Sequence, residues 1–153
     1  MMGLLSGAVA ICSGAHMIHP IWAFVIGIIA GVITTLVYGL LEVKFKIDDA
    51  LAVFPVHGAC GIWGVIATGI FGAKALGAHP IYGFETSQWL SVLGIQMLGV
   101  AVIGLVVAGL GYLLFFLINK MGLLRVSKDQ ELFGLDISIH KTYAYPEDMM
   151  DDT

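Results

Sequence analysis

The stretch Asp48-Asp49-Ala50-Leu51-Ala52-Val53-Phe54-Pro55-Val56-His57-Gly58-Ala59-Cys60-Gly61-Ile62-Trp63-Gly64 decides how this chain is read. Two acids open it at the edge of a polar loop, and no formal charge follows until Lys74. That run is long enough to enter a bilayer, which a helix crosses in about 20 residues. At about 100° per residue, Val53, His57, Gly61, Gly64 and Thr68 fall along one helical face. Glycines on a transmembrane helix, here Gly58, Gly61 and Gly64, let another backbone approach closely and set the imidazole against a protein neighbour or a cavity rather than lipid. A titratable side chain inside a span is costly, which makes His57 a functional candidate. A neutral histidine donating one hydrogen bond to a neighbouring helix is the structural alternative, and both readings stand at this point. Asp49 is placed to cap the helix that follows it.

Working outward, composition agrees with a membrane setting. The 153 residues are 59% hydrophobic and 12% charged, with a mean hydropathy of +0.96. Soluble domains carry about twice that share of charge. Twenty glycines in so apolar a chain suit closely packed transmembrane helices. The net charge of −4 gathers in the tail with Asp148, Asp151 and Asp152, and no basic patch exists to neutralise phosphates, which excludes nucleic acid. Cys12 and Cys60 lie in apolar runs without pairing spacing, so neither a disulfide framework nor a zinc site is expected.

The pattern predicts an all-α, polytopic membrane protein with about four transmembrane helices over 3–17, 20–41, 51–71 and 89–118, and a tail over 119–153. The first run is short and rich in small residues. His16 and His19 follow it, and with no third ligand beside them a hydrated helix end is expected rather than a metal. Pro20 suits the first turn of the second helix. Gly27 and Gly31 form a GxxxG pair, a packing face, with Trp22 and Tyr38 near the two interfaces. The thirty-residue run from Trp89 to Ile118 exceeds a perpendicular crossing and is expected to tilt, bend or protrude. Its Gly94, Gly99, Gly104 and Gly109 are spaced by five and form no single face, and Gln96 is expected in a helix-to-helix hydrogen bond. Lys44 and Lys46 in the loop, and Lys120, Arg125, Lys128 and Lys141 in the tail, place both in the cytoplasm by the positive-inside rule. Four spans then put the N-terminus there too. In the tail, Gly134 to His140 reads as ordered and Glu147 to Thr153 as a frayed acidic end.

The stretch "DDALAVFPVHGACGIWG" resembles the histidine-bearing signature near the C-terminal end of the ammonium transporter family (Amt/Mep/Rh). Ala52 stands where an aspartate is usual, and Pro55 where glycine or another small residue is usual. "SGAVAICSGAHMIHPIWAFVIGIIAGV" looks like the family's eighth and ninth helices, and Trp89 to Ile118 like its eleventh. "LRVSKDQELFGLDISIHKTYAYPED" resembles its cytoplasmic C-terminal region. The resemblance implies part of an eleven-helix fold built as two inverted halves. It implies that His57 is the second of two pore histidines, with Val53 and Phe54 candidates for the apolar wall of the path. It also implies that Gly134, Leu135, Asp136 and His140 belong to a tail that influences transport, contacts a neighbouring subunit of a homotrimer, and lies where a PII-type signal protein docks. The first pore histidine, the aromatic gate and the ammonium-recruiting residues belong to earlier helices of the family, so the chain is expected to be a C-terminal fragment.

Two functions are expected. One is transport of ammonium or ammonia across the cell membrane, with His57 lining the path, lipid around the helices and no cofactor. The other is a non-conducting module for assembly or regulation, acting through the tail. A membrane enzyme or haem protein using His16, His19 and His57 is not expected, because no acid–base pair or nucleophile accompanies them at motif spacing.

Overall fold

Proline at a first helical turn has its φ already set and needs no intrahelical N–H partner, so the second apolar run becomes a helix from Pro20 onward. The computed structural model describes residues 2–142. Its helices are α1 (Met2–Cys12), α2 (Pro20–Gly39), α3 (Cys60–Phe71), α4 (Trp89–Lys120) and α5 (Lys128–Phe133). Among the described residues there is no strand, and Ala73 and Phe84 form an isolated parallel bridge. A π-helical turn over Leu40–Phe45 prolongs α2, and another over Phe54–Ala59 leads into α3. With these turns and the short 3-10 turn before α4, three helices are long and apolar enough to cross a membrane: Pro20–Phe45, Phe54–Phe71 and Thr86–Lys120.

The first helix departs from the expected span over 3–17. It has 11 residues, and the chain turns at Gly14, whose carbonyl accepts from the N–H groups of Met17 and Ile18 at 3.0 and 2.9 Å. Glycine weakens helix continuation. Here it is also required, since a Cβ on Gly14 would meet Thr68 Oγ1 at 2.9 Å. Apolar composition continues past a point where helical structure stops. The described residues therefore contain three full-length spans and a half-length helix instead of four spans.

Chain contacts divide the molecule into two units, Met1–Gly104 and Leu105–Thr153. In the first, α1 packs antiparallel to α2 through two facing glycine pairs. A Cβ on Gly7 would lie 3.5 Å from the Gly27 Cα, and one on Gly3 would lie 3.8 Å from the Gly31 Cα. Met2 thus lies level with the middle of α2. On its other side α1 meets α3 at Gly64, where a Cβ would drive into the backbone of Ala10. Ala10, Ile18, Ile26, Ala30, Cys60 and Ala67 fill the core between these helices.

A buried polar chain ties the three helices together. Ser6 and Thr34 are hydrogen-bonded through their hydroxyls, Thr34 Oγ1 lies 3.1 Å from Cys60 Sγ, and Ser6 Oγ donates to the Met2 carbonyl at 2.8 Å. If Cys60 donates to Thr34 and Thr34 to Ser6, each group uses its one proton and none is left unpaired. Nearer the other end, Ser13 Oγ donates to the Gly64 carbonyl at 2.9 Å and lies 2.7 Å from Thr68 Oγ1. Trp63 Nε1 donates to the Ile26 carbonyl at 3.2 Å.

Helix α4 has 32 residues, about 48 Å at 1.5 Å per residue, against about 30 Å of bilayer hydrocarbon. None of its residues is buried, and a Cβ on Gly94, Gly99, Gly104 or Gly109 would meet nothing. Gln96 turns its Cγ toward Gly69 rather than making the expected helix-to-helix hydrogen bond among the described residues. In the second unit, Ser127 and Gln130 form a reciprocal capping box at the start of α5, and Arg125 pairs with Glu131.

Two substitutions separate packing glycines from idle ones. Gly64→Ala is expected to lower stability by about 1–3 kcal/mol through overpacking, while Gly61→Ala, whose added Cβ meets nothing within 4 Å, is expected to hold or slightly raise the melting temperature in detergent, since alanine favours a helix over glycine. At the entrance to α3, Asp49→Ala is expected to cost about 0.5–2 kcal/mol as a lost helix cap. Asp49→Asn should fall between wild type and Asp49→Ala in the same melting series, because its amide retains one acceptor oxygen.

Candidate functional site

The loop after α2 ends at Asp49, whose carboxylate closes the start of the next helical segment. Asp49 Oδ1 accepts from the Val53 N–H at 2.8 Å and Oδ2 from the Phe54 N–H at 2.9 Å. These N–H groups have no intrahelical partner, and the anion also meets the positive end of the helix. Ala52 turns the chain into this start with φ +52°, and its N–H donates to the Asp49 carbonyl at 2.8 Å. A left-handed alanine is uncommon. Alanine thus adopts the turn at a position where the resemblance leads one to expect an aspartate.

Pro55 and Val56 bury themselves in the π-helical turn, while Val53, Phe54 and His57 stay exposed. The turn closes where the Cys60 N–H bonds to the carbonyls of both His57 and Pro55. Such a turn holds more residues than an α-helical one and shifts the register of the helix beyond it. The single face expected to join Val53 and His57 to Gly64 and Thr68 is divided accordingly: the first two are exposed and the last two buried. Gly58 makes room for the Phe54 ring, since a Cβ there would come within 2.8 Å of it. Gly61 is half-buried and faces open space, and Gly64 meets α1. Gly27 and Gly31 meet Gly7 and Gly3 of α1, partners that the sequence pattern does not single out.

The result is an open groove of about 670 Å³ lined by Leu41, Ile47, Asp48, Asp49, Val53, Phe54, His57 and Gly58. His57, Val53 and Phe54, the candidates from sequence, share it; Leu41 and Ile47 complete its apolar wall. Asp48 and Asp49 line the same groove. The His57 ring is exposed to it and makes no hydrogen bond among the described residues. The groove therefore offers an imidazole, able when neutral to donate and accept, in apolar surroundings that also hold two carboxylates.

The two histidines of the α1–α2 turn lie apart from this groove. His16 and His19 sit beside the loop after α3, whereas His57 precedes α3, whose 12 residues span about 18 Å. Gly134, at φ +84°, ends α5, and Leu135 leads into a π-helical turn over Asp136–His140. Ser138 donates to the Gly134 carbonyl through both its N–H and its Oγ, at 3.1 and 2.8 Å. Leu135, Asp136 and His140 are exposed and Gly134 half-buried. The acidic end from Glu147 to Thr153 lies outside the described residues.

Comparison with known proteins identifies the family. Residues 1–145 match the model of the Ammonium Transporter Family. The chain is 40% identical over 147 residues to ammonium transporter Amt2 of Methanocaldococcus jannaschii, covering 95% of this chain and 33% of that protein. It is 36% identical over 158 residues to ammonium transporter Amt2 of Archaeoglobus fulgidus, covering 99% and 33%. It is also 36% identical over 154 residues to ammonium transporter 1 member 3 of Solanum lycopersicum, covering 94% and 33%. The chain spans about a third of the length of these curated relatives. These relatives are named as transporters. With the family model matched over nearly its whole length and three membrane-length apolar helices, the chain is a membrane protein belonging to the ammonium transporter family.

Proposed function

We propose that this chain corresponds to the C-terminal part of an ammonium transporter subunit and that His57 lines the path taken by ammonia or ammonium. The observation that carries the reading is the groove that brings His57, Val53 and Phe54 to one exposed surface and leaves the imidazole without a partner among the described residues. A bare cation moved into apolar surroundings loses its hydration at prohibitive cost. Deprotonation at an entrance lets neutral ammonia cross, and a neutral imidazole both accepts its N–H and donates to its lone pair. Val53, Phe54, Leu41 and Ile47 keep the surroundings apolar.

The groove is open on one side, so exclusion of water requires walls from other helices, as in transporters whose paths run at the interface between repeats. In this reading the loop over 42–49 and the tail are cytoplasmic, following their lysines and arginine. The subunit assembles as a homotrimer, and the tail, with Gly134, Leu135, Asp136 and His140, contacts a neighbouring subunit or a PII-type signal protein.

The test is methylammonium uptake in cells lacking their own ammonium transport, with membrane expression confirmed for every variant. The chain alone is expected to give no uptake. Supplied with the amino-terminal two thirds of a relative, it is expected to conduct, and His57→Ala should then reduce the rate by about tenfold or more, or about 1.4 kcal/mol of barrier. Full uptake by the His57→Ala form would remove His57 from the path. Conduction by the chain alone would show that these helices assemble a pore by themselves.

A further inference from the structure

His57 and Cys60 stand three residues apart, a spacing that sets two side chains on one face of an α-helix. Here the two part: His57 is exposed to the groove, and Cys60 is buried at 0% exposure. The π-helical turn separates them. Its closing bond runs from the Cys60 N–H to the Pro55 carbonyl, five residues back, and the same N–H is shared with the His57 carbonyl. An α-helical turn would instead pair that N–H with the Val56 carbonyl and turn His57 relative to α3 by about 100°, one residue's rotation. His57 would then fall in line with Gly64 and Thr68, on the face that meets α1.

Turns of this kind are rare, so one that persists is held by something besides its own backbone. Asp49 holds its start through the Val53 and Phe54 N–H groups. At its close, Cys60 Sγ lies 3.1 Å from Thr34 Oγ1 and 3.3 Å from the Ala30 carbonyl oxygen, both on α2. Thr34 is in turn hydrogen-bonded to Ser6 of α1. Pro55 and Val56, the buried residues within the turn, offer only apolar side chains. We propose that Cys60, fastened to Thr34, is the positioning residue that keeps His57 turned into the groove. The proposal rests on the reading that His57 lines the path.

Cys60 is buried away from the groove and acts through its neighbour. Its N–H closes the turn on the His57 carbonyl, and its thiol ties that close to α2. Without the thiol, the N–H is free to take the Val56 carbonyl, and the imidazole swings from the groove toward α1. The loss is local. Thr34 Oγ1 also lies 2.9 Å from the Ala30 carbonyl, so its hydroxyl keeps a partner when the thiol goes. Serine in place of Cys60 restores a donor and an acceptor, whereas alanine offers neither. The bonds of Ser13 to Gly64 and Thr68 join α1 to α3 farther along and supply a control for general loosening.

The test is the rate at which diethyl pyrocarbonate modifies His57 in the full chain in detergent, read by mass spectrometry of its peptide. The exposed His140 of the other unit is the internal reference. Cys60→Ala is expected to slow the modification by about twofold or more, the shift that one lost hydrogen bond supports. Cys60→Ser should restore the wild-type rate, and Ser13→Ala should leave it unchanged. An unchanged rate in Cys60→Ala overturns the proposal, and so does an equal fall in Ser13→Ala or in Cys60→Ser. If Cys60→Ala does not fold, Thr34→Val is read instead; it leaves the thiol only the Ala30 carbonyl, and a wild-type rate again overturns the proposal. Supplied with the amino-terminal two thirds of a relative, Cys60→Ala should lower the Vmax of methylammonium uptake by about twofold or more, with Cys60→Ser restoring it. A wild-type Vmax in Cys60→Ala, where His57→Ala abolishes uptake, overturns the proposal. Full uptake by His57→Ala brings down the underlying reading instead, and the modification rate alone then decides whether Cys60 positions the ring.

Discussion

The approach of α3 to α1 at Gly64 and Ala10 is the constraint on which the rest of the first unit depends. With no side chain at Gly64, the two backbones touch, and that contact brings the Ser13 hydroxyl within reach of the Gly64 carbonyl and Thr68. On the opposite side of α1, Gly7 and Gly27 do the same for α2. In a bilayer, apolar side chains gain little by leaving lipid for one another, so close packing and interhelical hydrogen bonds must supply the association. The Ser6, Thr34 and Cys60 chain fits that requirement. Its groups are small enough to lie between helices held at glycine distance, and each has a partner. A larger residue at either glycine contact would separate the helices and leave those hydroxyls and the thiol without bonds.

Much of this is legible in the sequence because it rests on local chemistry. Apolar runs, Pro20 at a first turn and Asp49 before a helix each announce their structure within a few residues. The stretch from Asp48 to Gly64 also places His57, Val53 and Phe54 together, since residues four or fewer apart in a helical turn share a surface. The Gly27 and Gly31 pair can be recognised, but its partners Gly3 and Gly7 cannot. Nothing local says which run will lie against which.

Other features escape for identifiable reasons. Hydropathy cannot end α1 at Cys12, because the chain after it remains apolar and the room at Gly14 is taken by Thr68 from another part of the fold. The π-helical turn at Phe54–Ala59 breaks a face drawn at 100° per residue. Pro55 and Gly58 are the marks of irregularity within it. The return of His79 to Met17 spans more than sixty positions and has no signal in either segment. A hydrogen bond is the general expectation for a polar residue such as Gln96 in a span, yet the helix that carries it makes few contacts along its length.

His57 differs from the other polar groups of the helical segment around α3. Cys60 bonds to Thr34, Trp63 to the Ile26 carbonyl, and Thr68 to Ser13. All of them are engaged in holding the helices together. The π-helical turn rotates His57 out of that set and into a groove whose other exposed side chains are apolar or acidic. Asp49 contributes by fixing the turn from its first two N–H groups, so that the ring's position is determined by backbone bonds rather than by contacts of the ring itself. Among the described residues the imbalance is plain: the ring lines the groove, and neither of its nitrogens takes part in the bonds that hold the helices together.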